Sequence, residues 1–363
     1  MPSTAVSLNQ RYPINQHCHP LIEASGRYWI FYWDTTNIAF VSSTDGTTWN
    51  SPTTIRVVAA ANAFEAVFGG GFMHYAAAST WIYYRRYILN SDGTITPSAV
   101  EQTVVGTGSV KYTPSIDVDS TGHAWVCWND GGNQAWCSRN NNTDGTWSHA
   151  AGFPYQPFSG ANAGNLPIVR CLANDDAYIV YPRTGDTIVR GKYYTLATTT
   201  WGGEQTVFNS NHNGVFGSLI TFGIDVHYAD IEVTTNNMRH AVRTGGAWSA
   251  KKTIEAAGNS MPALSRDAVS TVYCFYTKTD GHVYYRKYVA GAWDAAATDW
   301  ENDGPISATA KLALTRDGIT GRISVAYVKG NANPYSIRFD LLNVAIVITG
   351  FRVEGRDFKE NKF

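Results

Sequence analysis

The stretch SSTDGTTWNSP, residues 42–52, is a polar turn that contains glycine and leads into Trp49. A similar setting returns at four further tryptophans: Trp147, Trp201, Trp248 and Trp293. The intervals are 98, 54, 47 and 45 residues, and the first interval is two periods with a degenerate copy near residues 95–100. A period in the forties that is carried by short strands is typical of a β-propeller, in which each repeat forms one blade.

Proline marks a second repeating element, in step with the first. It precedes or opens an apolar alternation at four positions: Pro20, Pro114, Pro167 and Pro262. Because proline has no N–H to donate, it is tolerated at the first residue of a strand, and these segments are therefore interpreted as inner strands. The two landmarks define seven units, which start near His17, Asn62, Val110, Gly164, Gly214, Asn259 and Ser307. We expect residues 1–351 to form one ring and residues 352–363 a charged C-terminal tail.

Each unit contains strand patterns. Aromatic and β-branched runs bounded by Gly, Asn, Asp or Ser recur at residues 28–33, 123–128, 177–181, 271–276 and 322–328. A third strand is clearest in two nearly identical segments, IYYRRYI (82–88) and VYYRKYV (283–289), whose alternation favours blade strands over nucleic-acid binding. No stretch of helical length has a 3.6-residue period. The sequence predicts an all-β, seven-bladed β-propeller with four antiparallel strands per blade, in which the Trp turn joins the third strand to the fourth.

Composition limits the possible partners. The net charge of the 363-residue chain is −1, with basic residues scattered, which argues against a nucleic-acid partner. No run approaches the 18 apolar residues of a membrane span, so membrane insertion is not expected. The first residues lack the features of a signal peptide. The Gly-, Thr- and Asn-rich composition favours an extracellular, virion or cell-surface protein, and it leaves the oligomeric state open.

The five cysteines do not have metal-site spacing. Cys127 and Cys137 flank a hairpin turn and could face each other across two strands, which leaves open a disulfide between them. The remaining three are expected to behave as small buried hydrophobic residues: Cys18, Cys171 and Cys274. No bound metal and no cofactor is predicted.

The first Trp turn resembles the Asp-box, or BNR repeat, of sialidase-like β-propellers. The residues that carry the resemblance are Ser43, Asp45, Gly46 and Trp49, and a shorter copy keeps Asp144, Gly145 and Trp147. In such a turn the Ser and Asp side chains accept backbone N–H groups, Gly takes the φ > 0 position, and Trp packs between blades. Asp-boxes are structural, so the resemblance implies a fold and not a reaction.

Ligands of propellers collect at the central funnel, where the inner strands begin and the second-to-third turns lie. The residues predicted to bind a ligand there are His17, His19, Asp34, Lys111, Tyr112, Asn165, Arg183, Asn259 and Lys311. Further polar groups on this surface are Glu65, Lys278 and Asp280, with Trp33 and Tyr181 available for stacking. Amides, carboxylates and cations suit sugar hydroxyl groups, and aromatic rings suit pyranose faces. The expected partner is a glycan or polysaccharide.

The segment His17-Cys18-His19 places two imidazoles on one side of a strand. That pair could serve as a general base or a carboxylate-binding pair, or could bind a metal if a third ligand joined it. BNR-type propellers that resemble ulvan lyases use His and Tyr as acid and base, with Arg on the uronate carboxylate. If the chain is an enzyme, His17, His19, Tyr112 and Arg183 are the candidates for these roles.

We predict a lectin- or adhesin-like protein that binds carbohydrate in its central funnel, because the sequence does not assemble a complete set of acid, base and carboxylate clamp. The nearest match to the first arginine motif of sialidases, Gln10-Arg11-Tyr12-Pro13, loses the aromatic and the aliphatic neighbour, so that mechanism is not carried over. The alternatives are a glycoside hydrolase or uronate lyase on the same fold, and a structural or protein-binding scaffold. A funnel plugged by side chains would favour the scaffold.

Overall fold

The computed structural model describes residues 2–8, 20–57, 64–106, 112–130, 134–157, 167–182, 188–210, 217–257, 261–301, 312–318, 321–330 and 334–344. It is a seven-bladed β-propeller with four antiparallel strands per blade, as predicted. The seven unit starts expected from the sequence lie outside the described residues, and the first described strand of each blade begins shortly after each of them. The proposed boundary between the ring and the tail also lies outside them.

The strands, in chain order, are β1 (Ser3–Leu8), β2 (Leu21–Ala24), β3 (Arg27–Trp33), β4 (Asn37–Ser43), β5 (Thr53–Val57), β6 (Phe64–Gly69), β7 (Phe72–Ala78), β8 (Ile82–Leu89), β9 (Ile95–Pro97), β10 (Gln102–Val105), β11 (Tyr112–Val118), β12 (Ala124–Asn129), β13 (Ala135–Arg139), β14 (Ile168–Cys171), β15 (Ala177–Pro182), β16 (Val189–Thr195), β17 (Thr200–Trp201), β18 (Gln205–Phe208), β19 (Ser218–Phe222), β20 (Asp225–Ile231), β21 (Met238–Thr244), β22 (Ala247–Trp248), β23 (Lys252–Glu255), β24 (Ala263–Asp267), β25 (Val272–Thr277), β26 (Val283–Val289), β27 (Ala292–Trp293), β28 (Thr298–Glu301), β29 (Leu312–Leu314), β30 (Asp317–Gly318), β31 (Arg322–Lys329) and β32 (Tyr335–Asn343). A 3₁₀ turn at Leu196–Thr198 precedes β17.

Each blade pairs its strands in chain order. Blades 1 to 6 consist of β2–β5, β6–β10, β11–β13, β14–β18, β19–β23 and β24–β28, and β30 adds to the inner edge of blade 6 in parallel. In blade 3 the outer position is held by isolated bridges from Cys137 to Tyr155 and from Asn140 to His149. The register between the third and fourth strands shifts directly after the first pair in blades 2, 4, 5 and 6, and after the second pair in blade 1. The repeats therefore share this irregularity as well as their strand order.

The N-terminal strand closes the ring. Blade 7 has the order β29–β31–β32–β1, and β1 pairs antiparallel with β32 from Ser3 opposite Phe339 to Leu8 opposite Tyr335. From the sequence, either residues 4–8 or residues 344–351 could supply this last outer strand. This outer strand joins the two ends of the propeller through a backbone ladder and so prevents blade 7 from separating from blade 1.

The core consists of apolar layers between neighbouring blades. For example, one layer packs Trp29 and Phe40 of blade 1 against Tyr75 and Leu89 of blade 2. Separate layers join blades 2 and 3, 3 and 4, 4 and 5, and 5 and 6, while one large layer joins blades 6, 7 and 1. Each blade is thus buried on both faces, which explains why its second strand is almost continuously apolar.

The repeated tryptophans occupy the predicted place, between the third and fourth strands, and each packs against the preceding blade. Trp49 lies 5.1 Å from Phe339 of blade 7, and Trp147 lies 5.0 Å from Tyr84 of blade 2. The indole Nε1 of Trp248 donates to the Tyr178 hydroxyl of blade 4 at 2.8 Å. The period seen in the sequence is therefore the period of the seams between blades.

The turn before Trp49 has the geometry expected from its residue types. The Ser43 hydroxyl accepts the Gly46 N–H at 2.9 Å, and Asp45 Oδ1 accepts the N–H groups of Thr47 and Thr48 at 2.7 Å. Those hydrogen bonds lower the pKa of the exposed Asp45 carboxyl. Gly46 has φ +72°, a conformation that glycine adopts without strain.

The four described cysteines are free thiols and all are buried: Cys127, Cys137, Cys171 and Cys274. Cys127 and Cys137 stand directly opposite each other in β12 and β13, as the sequence suggested, without a bond between them. Burial raises the pKa of the Cys127 and Cys171 thiols, so they act as apolar core groups. Within the described ranges, no helix is long and apolar enough to cross a membrane.

Candidate functional sites on the funnel face and in the channel

The two faces of the ring are defined by their turns. We call the face that carries the starts of the inner strands and the second-to-third turns, such as residues 34–36, 79–81 and 278–282, the funnel face. The opposite face carries the first-to-second turns, such as residues 70–71 and 119–123, and the turns that lead to the tryptophans. Seven residues predicted to bind a ligand lie outside the described residues: His17, His19, Lys111, Asn165, Arg183, Asn259 and Lys311. Of Tyr112 only the backbone is described, at the start of β11 opposite Asn129.

Asp34 lies on the funnel face, in the second-to-third turn of blade 1. Its Oδ1 accepts the N–H groups of Thr36 and Asn37 at 2.9 and 2.7 Å, and its Oδ2 accepts the Asn37 side-chain amide at 3.0 Å. Although desolvation acts to raise the pKa of Asp34, these hydrogen bonds lower it overall. The carboxylate holds the turn, and its predicted role as a ligand stays a prediction.

Glu65, predicted to be part of the polar funnel surface, is instead buried at the axis of the ring. Its Oε1 accepts Arg170 Nη2 at 2.8 Å, and its Oε2 accepts the Ile116 N–H at 2.7 Å. Arg170 also donates from Nε to the Leu219 carbonyl at 3.0 Å. The Glu65 and Arg170 side chains are 1% and 2% exposed. This network joins the inner strands of blades 2, 3, 4 and 5 around one guanidinium.

A second ion pair crosses the channel between opposite blades. Arg316 of blade 7 donates from Nη1 to Asp117 Oδ1 of blade 3 at 2.6 Å, and Asp117 Oδ2 accepts the Cys171 N–H of blade 4 at 2.8 Å. Asp117 lies at the end of its inner strand, towards the face opposite the funnel. The two ion pairs together bring side chains of blades 2, 3, 4 and 7 towards the axis, below the funnel.

Among the described residues, the clearest cluster of side chains that could bind a ligand lies at the seam between blades 5 and 6, on the funnel face. Three rings form a ladder: His282 stacks on Tyr284 at 6.2 Å and 17°, and Tyr284 stacks on Tyr276 at 6.2 Å and 23°. The ammonium of Lys278 lies 4.3 Å from the centre of the Tyr284 ring. Lys278 and Asp280 were among the turn residues singled out in the sequence. We refer to this cluster as the blade 5–6 site.

Carboxylates surround the ladder. Glu255 of blade 5 accepts the Tyr276 hydroxyl at 2.7 Å and lies 3.4 Å from Lys278 Nζ. Asp299 Oδ2 pairs with His282 Nδ1 at 2.9 Å, and this hydrogen bond raises the pKa of His282. The hydrogen bond from the Tyr284 hydroxyl to Asp280 Oδ2, 2.7 Å long, raises the pKa of Tyr284 to about 12. At pH 7 only on the order of 10⁻⁵ of such a phenol is ionised, so Tyr284 is poorly suited to act as a general base.

A related cluster lies at the seam between blades 1 and 2. Tyr83, which corresponds to Tyr284 in the third strand, has the Arg56 guanidinium 3.8 Å above its ring and Trp81 beside it at 6.2 Å. Arg56 pairs with Glu101, which also accepts the Tyr75 hydroxyl. Trp81 is 39% exposed. This blade 1–2 site thus repeats the aromatic pair, the cation on a ring, the carboxylate and the tyrosine hydroxyl of the blade 5–6 site.

The near identity of IYYRRYI and VYYRKYV is a signal for these two sites in the sequence, but the alternation alone predicts only a strand with one buried face. The alternation buries Ile82 and Tyr84 against blade 3, whereas Tyr83 faces blade 1 and is only half-buried. The partners of these rings come from turns and from the fourth strands of neighbouring blades, which sequence spacing does not connect.

No protein-family model and no curated protein matches the sequence. Solved structures match in fold. An ulvan lyase, a polysaccharide lyase, is similar with a TM-score of 0.61 at 8% identity over 95% of this chain and 96% of that chain. A second polysaccharide lyase has a TM-score of 0.57 at 9% identity over 93% and 91%. The WD40 domain of coronin from Toxoplasma gondii has a TM-score of 0.60 at 10% identity over 95% and 85%. At these identities the similarity is one of fold.

Proposed function

We propose that the protein binds carbohydrate, and that the blade 5–6 and blade 1–2 sites on the funnel face contribute to binding. The observation that carries the proposal is the repetition of the same chemical groups at two seams. Partly exposed rings offer faces to the C–H groups of a pyranose, while the neighbouring carboxylates and cations can bond its hydroxyl groups. Similarity in fold to two polysaccharide lyases is consistent with a polysaccharide ligand. The residues predicted from the sequence to line the funnel, such as His17, His19 and Lys311, would extend such a surface towards the axis.

Binding is favoured over catalysis by the state of the described groups. A lyase needs a group that abstracts a proton near neutral pH, and the pKa of Tyr284 at about 12 opposes that role. His282 is held in a hydrogen bond with Asp299 that stabilises its protonated form. Both features strengthen the site as a fixed array of donors and acceptors, which is what a lectin needs.

A glycan array with the intact chain tests the proposal, followed by mass analysis of the retained glycans. We expect retained and unaltered glycans. Tyr284→Ala and Tyr83→Ala should each weaken binding about threefold to tenfold, since a ring contact contributes about 0.5–1.5 kcal/mol, and the double variant should weaken it further. Val289→Ala is the matched control, because Val289 is 52% exposed at the far end of the strand that carries Tyr284.

Cleaved glycans would move the assignment to an enzyme. Unchanged binding in the double variant would refute the two described sites and leave the undescribed funnel residues as the candidates. A blank array would favour a second function, a scaffold that binds a protein partner. The ion pairs between inner strands, Glu65 with Arg170 and Asp117 with Arg316, support that alternative, because side chains that occupy the channel leave less room there for a ligand.

A further inference from the structure

A separate cavity opens on the face opposite the funnel, at the seam between blades 2 and 3. Its volume is about 260 Å³, and its walls come from the first-to-second turns of both blades and from the turn before Trp147. The side chains that line it are Phe72, His74, Arg86, Ser120, Thr121 and Thr143. The cavity shares no residue with the blade 5–6 or blade 1–2 site.

Arg86 gives this cavity its charge. Its side chain belongs to β8 and the residue is 8% exposed, with the guanidinium 3.8 Å from the centre of the Phe72 ring. One hydrogen bond is formed, from Nη1 to the Thr143 carbonyl, and Nε has no partner among the described residues. Within the described ranges no carboxylate lies within 4 Å of this guanidinium, unlike those of Arg139 and Arg170, which pair with Asp119 and Glu65.

An unpaired buried cation is unfavourable, because its lost hydration is not replaced by an opposite charge. The neighbouring groups do not change the sign of the site. His74 is neutral at physiological pH, since burial and then the charge of Arg86 lower its pKa to about 3, and its two ring nitrogens contact Tyr84 Oη and the Gly69 carbonyl. Asp144, which interacts electrostatically with Arg86, is turned into its own loop, where it accepts the Thr146 N–H and hydroxyl.

We propose that this cavity binds a small oxyanion, a carboxylate, sulfate or phosphate group, which pairs with Arg86. The Phe72 ring fixes the plane of the guanidinium, and the flanking hydroxyl groups of Ser120 and Thr143 can donate to the remaining oxygens. Glycine at positions 70 and 122, with φ +59° and +86°, keeps the two turns tight and the opening free of side chains. The volume suits one such group or a single sugar acid.

Isothermal titration calorimetry on the full chain tests the proposal with three probes: inorganic sulfate, inorganic phosphate and glucuronate. Sodium chloride of matched ionic strength is the blank. We expect one saturable site for at least one probe and a loss of affinity of about tenfold or more in Arg86→Gln, since a charge-assisted hydrogen bond contributes at least that much. Arg85→Gln is the matched control: it removes the same charge from the adjacent residue, whose Nε donates to the Ala99 carbonyl.

Thr143→Glu gives an independent test that leaves Arg86 in place. The introduced carboxylate should pair with the guanidinium, abolish oxyanion binding and raise the unfolding temperature. This variant decides the question if Arg86→Gln does not fold, as judged by circular dichroism. Binding of glucuronate alone would identify a sugar acid, and equal binding of sulfate and phosphate an inorganic oxyanion. The proposal is overturned if none of the three probes binds saturably, or if both variants bind as the wild type does.

Discussion

Replacing Glu65 by Gln should destabilise the protein strongly, although the two side chains have nearly the same shape. The substitution removes the only carboxylate within ion-pair distance of Arg170 among the described residues and leaves a guanidinium that is 2% exposed. Removing one partner of a buried ion pair costs about 3–5 kcal/mol, because the remaining charge is desolvated without compensation. The hydrogen bonds of Arg170 to the Val169 and Leu219 carbonyls remain, which places the expected loss near the lower end of that range.

Equilibrium unfolding in urea, followed by tryptophan fluorescence, measures this loss. Glu23→Gln is the matched control, because Glu23 also lies in an inner strand but its pair with Arg322 is 3.8 Å long and its two side chains are 21% and 43% exposed. A pair of that kind contributes about 0–1 kcal/mol. The double variant Glu65→Gln with Arg170→Met should recover part of the loss. Equal costs for Glu65→Gln and Glu23→Gln would refute the view that a buried ion pair holds the blades together at the axis.

Three further predictions concern the seams and the core. Gly46→Ala should cost about 1–3 kcal/mol more than Gly26→Ala in the same unfolding assay. Both glycines have φ near +70°, but a Cβ on Gly46 would lie 2.6 Å from the Phe339 ring, whereas a Cβ on Gly26 would meet no atom within 4 Å. Equal costs would contradict the packing of this seam. Burial lowers the pKa of His227 to about 4, so this side chain is neutral in the folded protein. Its contribution to the free energy of unfolding is therefore complete above about pH 6.5, the unfolded pKa, and is lost as the pH falls to about 4. His227→Asn should flatten the pH dependence of stability between these values by about 3 kcal/mol, and an unchanged dependence would refute the prediction. Iodoacetamide should not label the four described cysteines until the protein unfolds, because all four are buried: Cys127, Cys137, Cys171 and Cys274. Peptide mass mapping measures this labelling, and rapid labelling of the folded protein would contradict their burial.

The architecture could be predicted from the sequence because its signals are local and repeated. Each Trp turn marks one seam, and each proline marks the region where an inner strand begins, so the two landmarks together defined seven units. Closure by β1 could not be predicted, since two terminal segments had the same strand pattern and only the pairing of Ser3 with Phe339 distinguishes them. The opposed Cys127 and Cys137 were expected because both flank one hairpin, whereas their redox state does not follow from spacing.

The candidate sites were harder to predict because their groups come from different blades. Glu65 was placed on the funnel surface from its position before an inner strand, but its partner Arg170 is two blades away, and only the closed ring brings them together. The same holds for Arg56 over Tyr83 and for Glu255 beside Tyr276. Most of the predicted funnel residues, including His17 and His19, lie outside the described residues and stay predictions.

One strand position explains both the repetition of the sites and its limits. The second residue of the third strand follows the shared register shift, and its side chain faces the preceding blade. That residue is Tyr83 in blade 2 and Tyr284 in blade 6, where the ring stays partly exposed. In blade 5 it is Arg239, 1% exposed and paired with Asp230 at 2.5 Å, and so is used for stability. The fold therefore fixes the direction of this side chain, and the residue type at each seam decides between a buried ion pair and a surface that can bind a ligand.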